Sequence, residues 1–345
     1  TLTVNGNAYD GITSKDGLII ASGTINVHAV DDGIRGKDYL VIEGGTITVV
    51  SGGDALKSDN AEDTAKGYIT INAGDLNIQS SGDAVSAETD LSVSGGTINI
   101  VTAGGSQAQI SEDVSAKGLK AGVSLTIDGG TISIDSADDS VQTNGEMTIN
   151  GGSMTLSSGD DGVHADTTLV INGGTINISQ SYEGLESAAI TINDGQIHLV
   201  SSDDGINGAG GNDGSGTAQN FGPGGGRNGG GPRQDNFAAG GNYSLTINGG
   251  YIFVDALGDG VDVNGSITMT NGTLIVNGPT QQMNGALDYD SSFNITGGTL
   301  VAVGSSGMAQ APSQTSSQNA ILVNFSKTVS AGTLISLTAS EDRKS

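Results

Sequence analysis

The chain of 345 residues carries a formal net charge of −26, contains 58 Gly, and has neither Cys nor Trp. This balance excludes a disulfide framework, thiolate chemistry and the basic face that nucleic acid requires. No apolar run is long enough to span a membrane, and Gly without a G-X-Y period is not collagen.

The opening residues TLTVNGNAYDG read as strand from the first position. The chain is therefore expected to be the mature part of an exported protein, secreted or held at a cell surface. A Gly-Gly turn then recurs at Gly44-Gly45, Gly95-Gly96, Gly129-Gly130, Gly151-Gly152, Gly173-Gly174, Gly249-Gly250 and Gly297-Gly298. Ala73-Gly74, Asp194-Gly195 and Asn271-Gly272 are variants of the same turn. Where no insertion intervenes the spacing is 21 or 22, the signature of stacked repeats in which residues one period apart become neighbours.

Around each turn the apolar residues alternate, as Leu169 and Ile171 before it and Ile176 and Ile178 after it, which means strands rather than helices. A third, shorter strand follows an acidic corner, as at Val163-His164-Ala165. Three short strands and three turns in about 22 residues describe one coil of an all-β, parallel β-helix, and about eleven coils are expected over a single domain, 1–345. The Gly-Gly positions are expected to need positive φ.

Insertions leave the coil at two corners. Residues 103–116, 278–284 and 304–318 precede the acidic corner; residues 60–67 and 208–242 follow the third strand. The outer face of the third strand is thus the expected floor of a ligand groove, with Arg35, Lys57, Lys120 and His164 pointing out of it. The Gly-rich insertion 208–242 is expected to be flexible, and the stretch 320–345 to close the stack as a cap, with strand character over Ala320–Ala339.

The acidic corner forms a column. In register it reads Asp32, Asp54, Asp83, Lys117, Asp139, Asp161, Glu183, Asp204, Asp259 and Asn284. Between Lys120 and Arg227 there are fourteen acids and no Lys or Arg. Carboxylates about 5 Å apart repel by roughly 1–3 kcal/mol each, so bound cations are expected, and oxygen-only ligands favour Ca²⁺. The first expected site is Asp138, Asp139, Asp160, Asp161 and Asp166, extended by Glu183 with Glu186 and by Asp203 with Asp204. A second is Asp259, Asp262, Asp288 and Asp290. The competing reading is turn chemistry alone, with Asp bonding local backbone and the following Gly left-handed, and with His164 a plain exposed residue.

With its xIxGGTIxIxSxDDG pattern, seen in 158–180, 40–51 and 129–141, and its Gly-rich insertion, the chain resembles a family of bacterial cell-surface carbohydrate-binding β-helix proteins. The resemblance implies a right-handed, single-stranded, pectate-lyase-like coil. It also implies bound Ca²⁺ and non-catalytic binding of polysaccharide, cellulose or acidic sugars such as polygalacturonate (pectin), by a monomer. Two alternatives stay open: a Ca²⁺-dependent pectate lyase using Lys120 as base, and a surface adhesin that Ca²⁺ merely stiffens.

Overall fold

The computed structural model describes residues 1–111, 113–209, 243–330 and 332–336, and among them there is no helix. All paired strands are parallel and fall into two sheets, one of twelve strands and one of twenty. The twelve-stranded sheet is built from the strands that follow the Gly turns, such as Thr131–Ser136, Ser153–Ser158 and Thr175–Gln180. The other sheet collects the strands before the turns, such as Ser124–Ile127, and the short strands after the acidic corner, such as Val141–Thr143. In two repeats these merge into single long strands, Val163–Ile171 and Leu185–Ile192.

Each strand pairs with its counterpart one period away, so sequence period becomes spatial register. Ile132 faces Met154, then Ile176, Ile197, Ile252 and Leu274, every one essentially inaccessible to solvent. Leu125, Met147, Leu169, Ile190, Leu245, Ile267 and Phe293 form a matching row from the second sheet. The core is thus a set of aliphatic ladders, which is why so large a chain needs almost no aromatic bulk. At the turns an amide ladder runs outside: Asn172 donates to Asn150 at 2.7 Å, Asn193 to Asn172 at 2.7 Å and Asn248 to Asn193 at 2.9 Å.

The second Gly of each turn has the expected positive φ, for example 93° at Gly174, where an added Cβ would also lie 2.9 Å from the Gly152 carbonyl. The Gly of the acidic corner departs from the turn-chemistry reading. Gly162 is not left-handed; its missing Cβ leaves room for Ile178 Cδ1 and the Gly184 carbonyl, which a side chain would meet at 2.6 and 2.7 Å. The corner is crowded rather than unusually twisted, and Ala55, Ala84 and Ser140 serve at the same place in other repeats.

Insertion 103–116 folds back over the twelve-stranded sheet, where the Ser106 N–H donates to Asp135 Oδ1 at 2.7 Å and the Ser106 and Ser157 hydroxyls meet at 2.8 Å. The last strand among the described residues is Thr299–Val303. Residues beyond it lie along Ser292–Ile295, with the Ser313 N–H on the Phe293 carbonyl at 2.8 Å and the Gln318 N–H on the Ile295 carbonyl at 3.1 Å. The strands expected over 320–339 do not form among residues 320–330 and 332–336. Their apolar alternation finds no register partner, and Ile321 and Leu334 remain 77% and 90% exposed. Apart from Gly208 and Ala209, the insertion expected to be flexible at 208–242 lies outside the described residues.

Candidate cation and carbohydrate site

The corner that precedes each short strand positions the acidic column, and the register gives each carboxylate two jobs. One oxygen accepts the backbone N–H of the next column residue: Asp32 from Asp54 at 3.0 Å, Asp54 from Asp83 at 2.9 Å, Asp83 from Lys117 at 2.8 Å, Asp139 from Asp161 at 3.0 Å, Asp161 from Glu183 at 3.2 Å and Asp204 from Asp259 at 2.5 Å. Asp is short enough to make this bond across one repeat. The turn-chemistry reading is therefore half right: the column does bond backbone, but in the neighbouring repeat rather than locally.

The other oxygen faces a positive charge in the first half of the molecule. Lys57 Nζ lies 3.1 Å from Asp32 Oδ2 and 3.0 Å from Asp54 Oδ2. Lys120 Nζ lies 2.8 Å from Asp83 Oδ2, and Lys117 Nζ lies 2.5 Å from Asp139 Oδ2 and 2.8 Å from Asp138 Oδ1. Arg35 holds Asp59 at 2.7 Å and approaches Asp10 at 3.7 Å. The three basic residues expected on an open groove floor are thus engaged with carboxylates, their side chains about 30% exposed.

Past Lys120 the pattern changes. His164 is half-buried among acids rather than exposed, with Nδ1 3.1 Å from Asp161 Oδ2 and 3.0 Å from Glu186 Oε2, and Nε2 3.2 Å from Asp166 Oδ1. Burial alone would lower its pKa; Asp161, Asp166 and Glu186 outweigh that and raise it. Asp139 is buried, yet Lys117 and His164 hold its pKa below the ordinary value. Burial, then the neighbouring Asp161, Asp139 and Asp138, pushes Asp160 up to about 9. Burial also drives Asp161, Glu183 and Asp204 well above the carboxylate range, and lifts Asp259 to about 6. Among the described residues no Lys, Arg or His pairs with Asp204 or Asp259.

Several acidic groups bring one ligand atom from each member within 4.8 Å of the others: Asp138, Asp139 and Asp160; Asp161, Glu183 and Glu186; Asp204, Asp259 and Asp262. The first expected site is therefore divided between adjoining clusters, with Asp166 reached only through His164. Asp203 stands outside the clusters. The second expected site is shifted one repeat back: Asp204 joins Asp259 and Asp262, whereas Asp288 accepts the Gln310 amide at 2.9 Å and, with Asp290, falls outside. A further cluster, Asp10, Asp31 and Asp32, was not anticipated because Asp10 belongs to the first, least regular repeat.

An all-β stack of parallel strands presenting a column of carboxylates is a scaffold suited to extended ligands. The chain belongs to the carbohydrate-binding domain-containing protein family, whose model matches residues 1–162 and 160–205. No curated protein and no solved structure matches the chain.

Proposed function

We propose that this chain is a non-catalytic polysaccharide-binding protein that holds Ca²⁺ on its acidic column and uses it to bridge to uronate carboxylates, as in polygalacturonate. On this reading the repeats wind as one right-handed, pectate-lyase-like β-helix of about eleven coils, acting outside the cell. The observation that carries the proposal is the absence of any basic partner, among the described residues, for Asp204 and Asp259, whose burial and mutual proximity favour a divalent ion over two bare charges. An acidic protein and an acidic sugar repel, and shared Ca²⁺ turns that repulsion into attraction. Asp204, Asp259 and Asp262 supply oxygen ligands only, which suits Ca²⁺, and the Asp138–Asp139–Asp160 cluster is the weaker candidate because Lys117 already occupies it.

Lyase chemistry finds little support in the geometry of Lys120. Its ammonium donates to Asp83 at 2.8 Å and to the Ser115 hydroxyl at 3.1 Å, so it is engaged rather than poised over an open groove. Binding of polygalacturonate and of cellulose, each measured with Ca²⁺ and with EGTA, tests the proposal. Polygalacturonate should be retained only with Ca²⁺, and undiminished retention in EGTA would overturn the bridging mechanism.

A further inference from the structure

The outward column of the short strands runs Gln142, His164, Glu186 and Asn207, each the register partner of the next. Glu186 is fully buried, and Gln142 and Asn207 are 6% and 4% exposed. Yet Gln142 Oε1, both Glu186 carboxylate oxygens, Asn207 Oδ1, Ser187 Oγ and His164 Nε2 make no hydrogen bond. The contacts of His164 with Glu186 and Asp166 have ion-pair distances without hydrogen-bond alignment. Buried oxygens left without donors are costly, and a buried carboxylate more so. The unmet atoms here are nearly all acceptors, so rotating a side chain cannot satisfy them; an added positive centre can.

The donor set at this point differs from the all-oxygen clusters. His164 Nδ1 lies 3.0 Å from Glu186 Oε2 and 3.1 Å from Asp161 Oδ2, the second along a hydrogen bond that a bound ion would replace. Ligands bound at about 2.0–2.2 Å are separated by roughly 2.9–3.5 Å, so these edges already match a small dication. Ca²⁺ bonds are longer, about 2.3–2.6 Å, and its ligands are oxygens. We infer that His164, Asp161 and Glu186 form a second kind of metal site, selective for a first-row transition dication such as Mn²⁺ or Zn²⁺ over Ca²⁺. An imidazole nitrogen in an otherwise carboxylate set is what confers that preference. Gln142 and Asn207, one repeat to either side, offer neutral oxygens to the ion or to its water. The inference rests on the reading that the column takes cations, and adds that one stretch of it discriminates between them.

The test is to dialyse the metal-stripped full chain against Mn²⁺ in millimolar Ca²⁺, desalt it, measure both metals, and record pulsed electron paramagnetic resonance. The expected result is one Mn²⁺ held per chain against Ca²⁺, with coupling to an imidazole nitrogen. His164→Gln should remove that coupling and weaken Mn²⁺ binding more than about tenfold. Failure to hold Mn²⁺ against Ca²⁺, or Mn²⁺ held by the unsubstituted protein without nitrogen coupling, overturns the inference. Ca²⁺ uptake in the same sample separates the two claims: Ca²⁺ without Mn²⁺ sinks only the selective site, whereas neither metal sinks the cation-binding column as well.

Discussion

Asp161 Oδ1 accepts the backbone N–H of Glu183 at 3.2 Å, while its other oxygen lies 3.1 Å from His164. The same division, one oxygen for the next repeat and one for a cation, recurs along the column and separates structural from electrostatic effects of substitution.

Asp204 is the cleanest place to use that separation. Asp204→Asn keeps an acceptor for the Asp259 N–H but removes a carboxylate that no Lys, Arg or His pairs with among the described residues. In EGTA its melting temperature should equal or exceed that of the unsubstituted protein, and its rise on adding Ca²⁺ should shrink. Asp204→Ala also strands the N–H and should lose about 1–3 kcal/mol in EGTA. Scanning calorimetry of the two variants checks this; an Asn variant as unstable as the Ala variant would contradict it.

Lys117 should be replaceable by calcium. Lys117→Met leaves Asp138, Asp139 and Asp160 without their cation, and loss of one partner from a buried ion pair costs about 3–5 kcal/mol. The variant should be markedly destabilised in EGTA and regain much of that loss in Ca²⁺, giving a larger Ca²⁺ response than the parent. Denaturant titrations with and without Ca²⁺ measure it.

The pH dependence has a definite sign. Asp160 (about 9), Asp259 (about 6), Asp161, Glu183 and Asp204 all bind protons more tightly folded than unfolded. Stability of the metal-free protein should therefore fall as pH rises from the unfolded carboxylate value, about 4, through 9. The raised pKa of His164 acts in the same direction, its contribution declining above about 6.5. Asp139, held low by Lys117 and His164, loses its contribution on acidification below about 4. A maximum at about pH 4 should result, and because Ca²⁺ needs deprotonated ligands, its stabilising effect should grow towards pH 9. Melting temperatures that rise with pH in EGTA would contradict the assignment.

The turns offer a control. Gly174→Ala places a Cβ on a φ of 93°, 2.9 Å from the Gly152 carbonyl, and should cost at least about 1–2 kcal/mol. Gly173→Ala, where φ is not left-handed and the nearest atom is the Asn150 carbonyl at 3.2 Å, should cost less. Urea denaturation of the pair ranks them.

Much of this was legible because stacking converts a period into adjacency. The Gly turns, the aliphatic ladders and the column Asp32 to Asp259 follow from counting 22 residues. What counting does not supply is side-chain reach. Lys57 bends back to Asp32, Lys120 back to Asp83 and Lys117 forward to Asp139, so residues expected to face a ligand instead neutralise the column. The burial of His164 was hidden for the same reason: its surroundings, Asp161, Asp166 and Glu186, are assembled from two repeats. The small residue after the corner answers a close approach from the following repeat, not the left-handed twist of the turn-chemistry reading, and such an approach leaves no mark in local sequence. Gln142 and Asn207 carry no charge in sequence; their register beside His164 and Glu186 is what sets them apart.

Because each carboxylate clamp spans one boundary and no more, the acidic column carries no record of repeats two steps away. Excising residues 159–180 would set Asp139 beside Glu183 with the ladders unbroken, and duplicating them would extend the molecule by about 4.8 Å. Length is thus an adjustable trait in this architecture, and a lineage can match its grip to longer or shorter stretches of polymer by copying units instead of redesigning them.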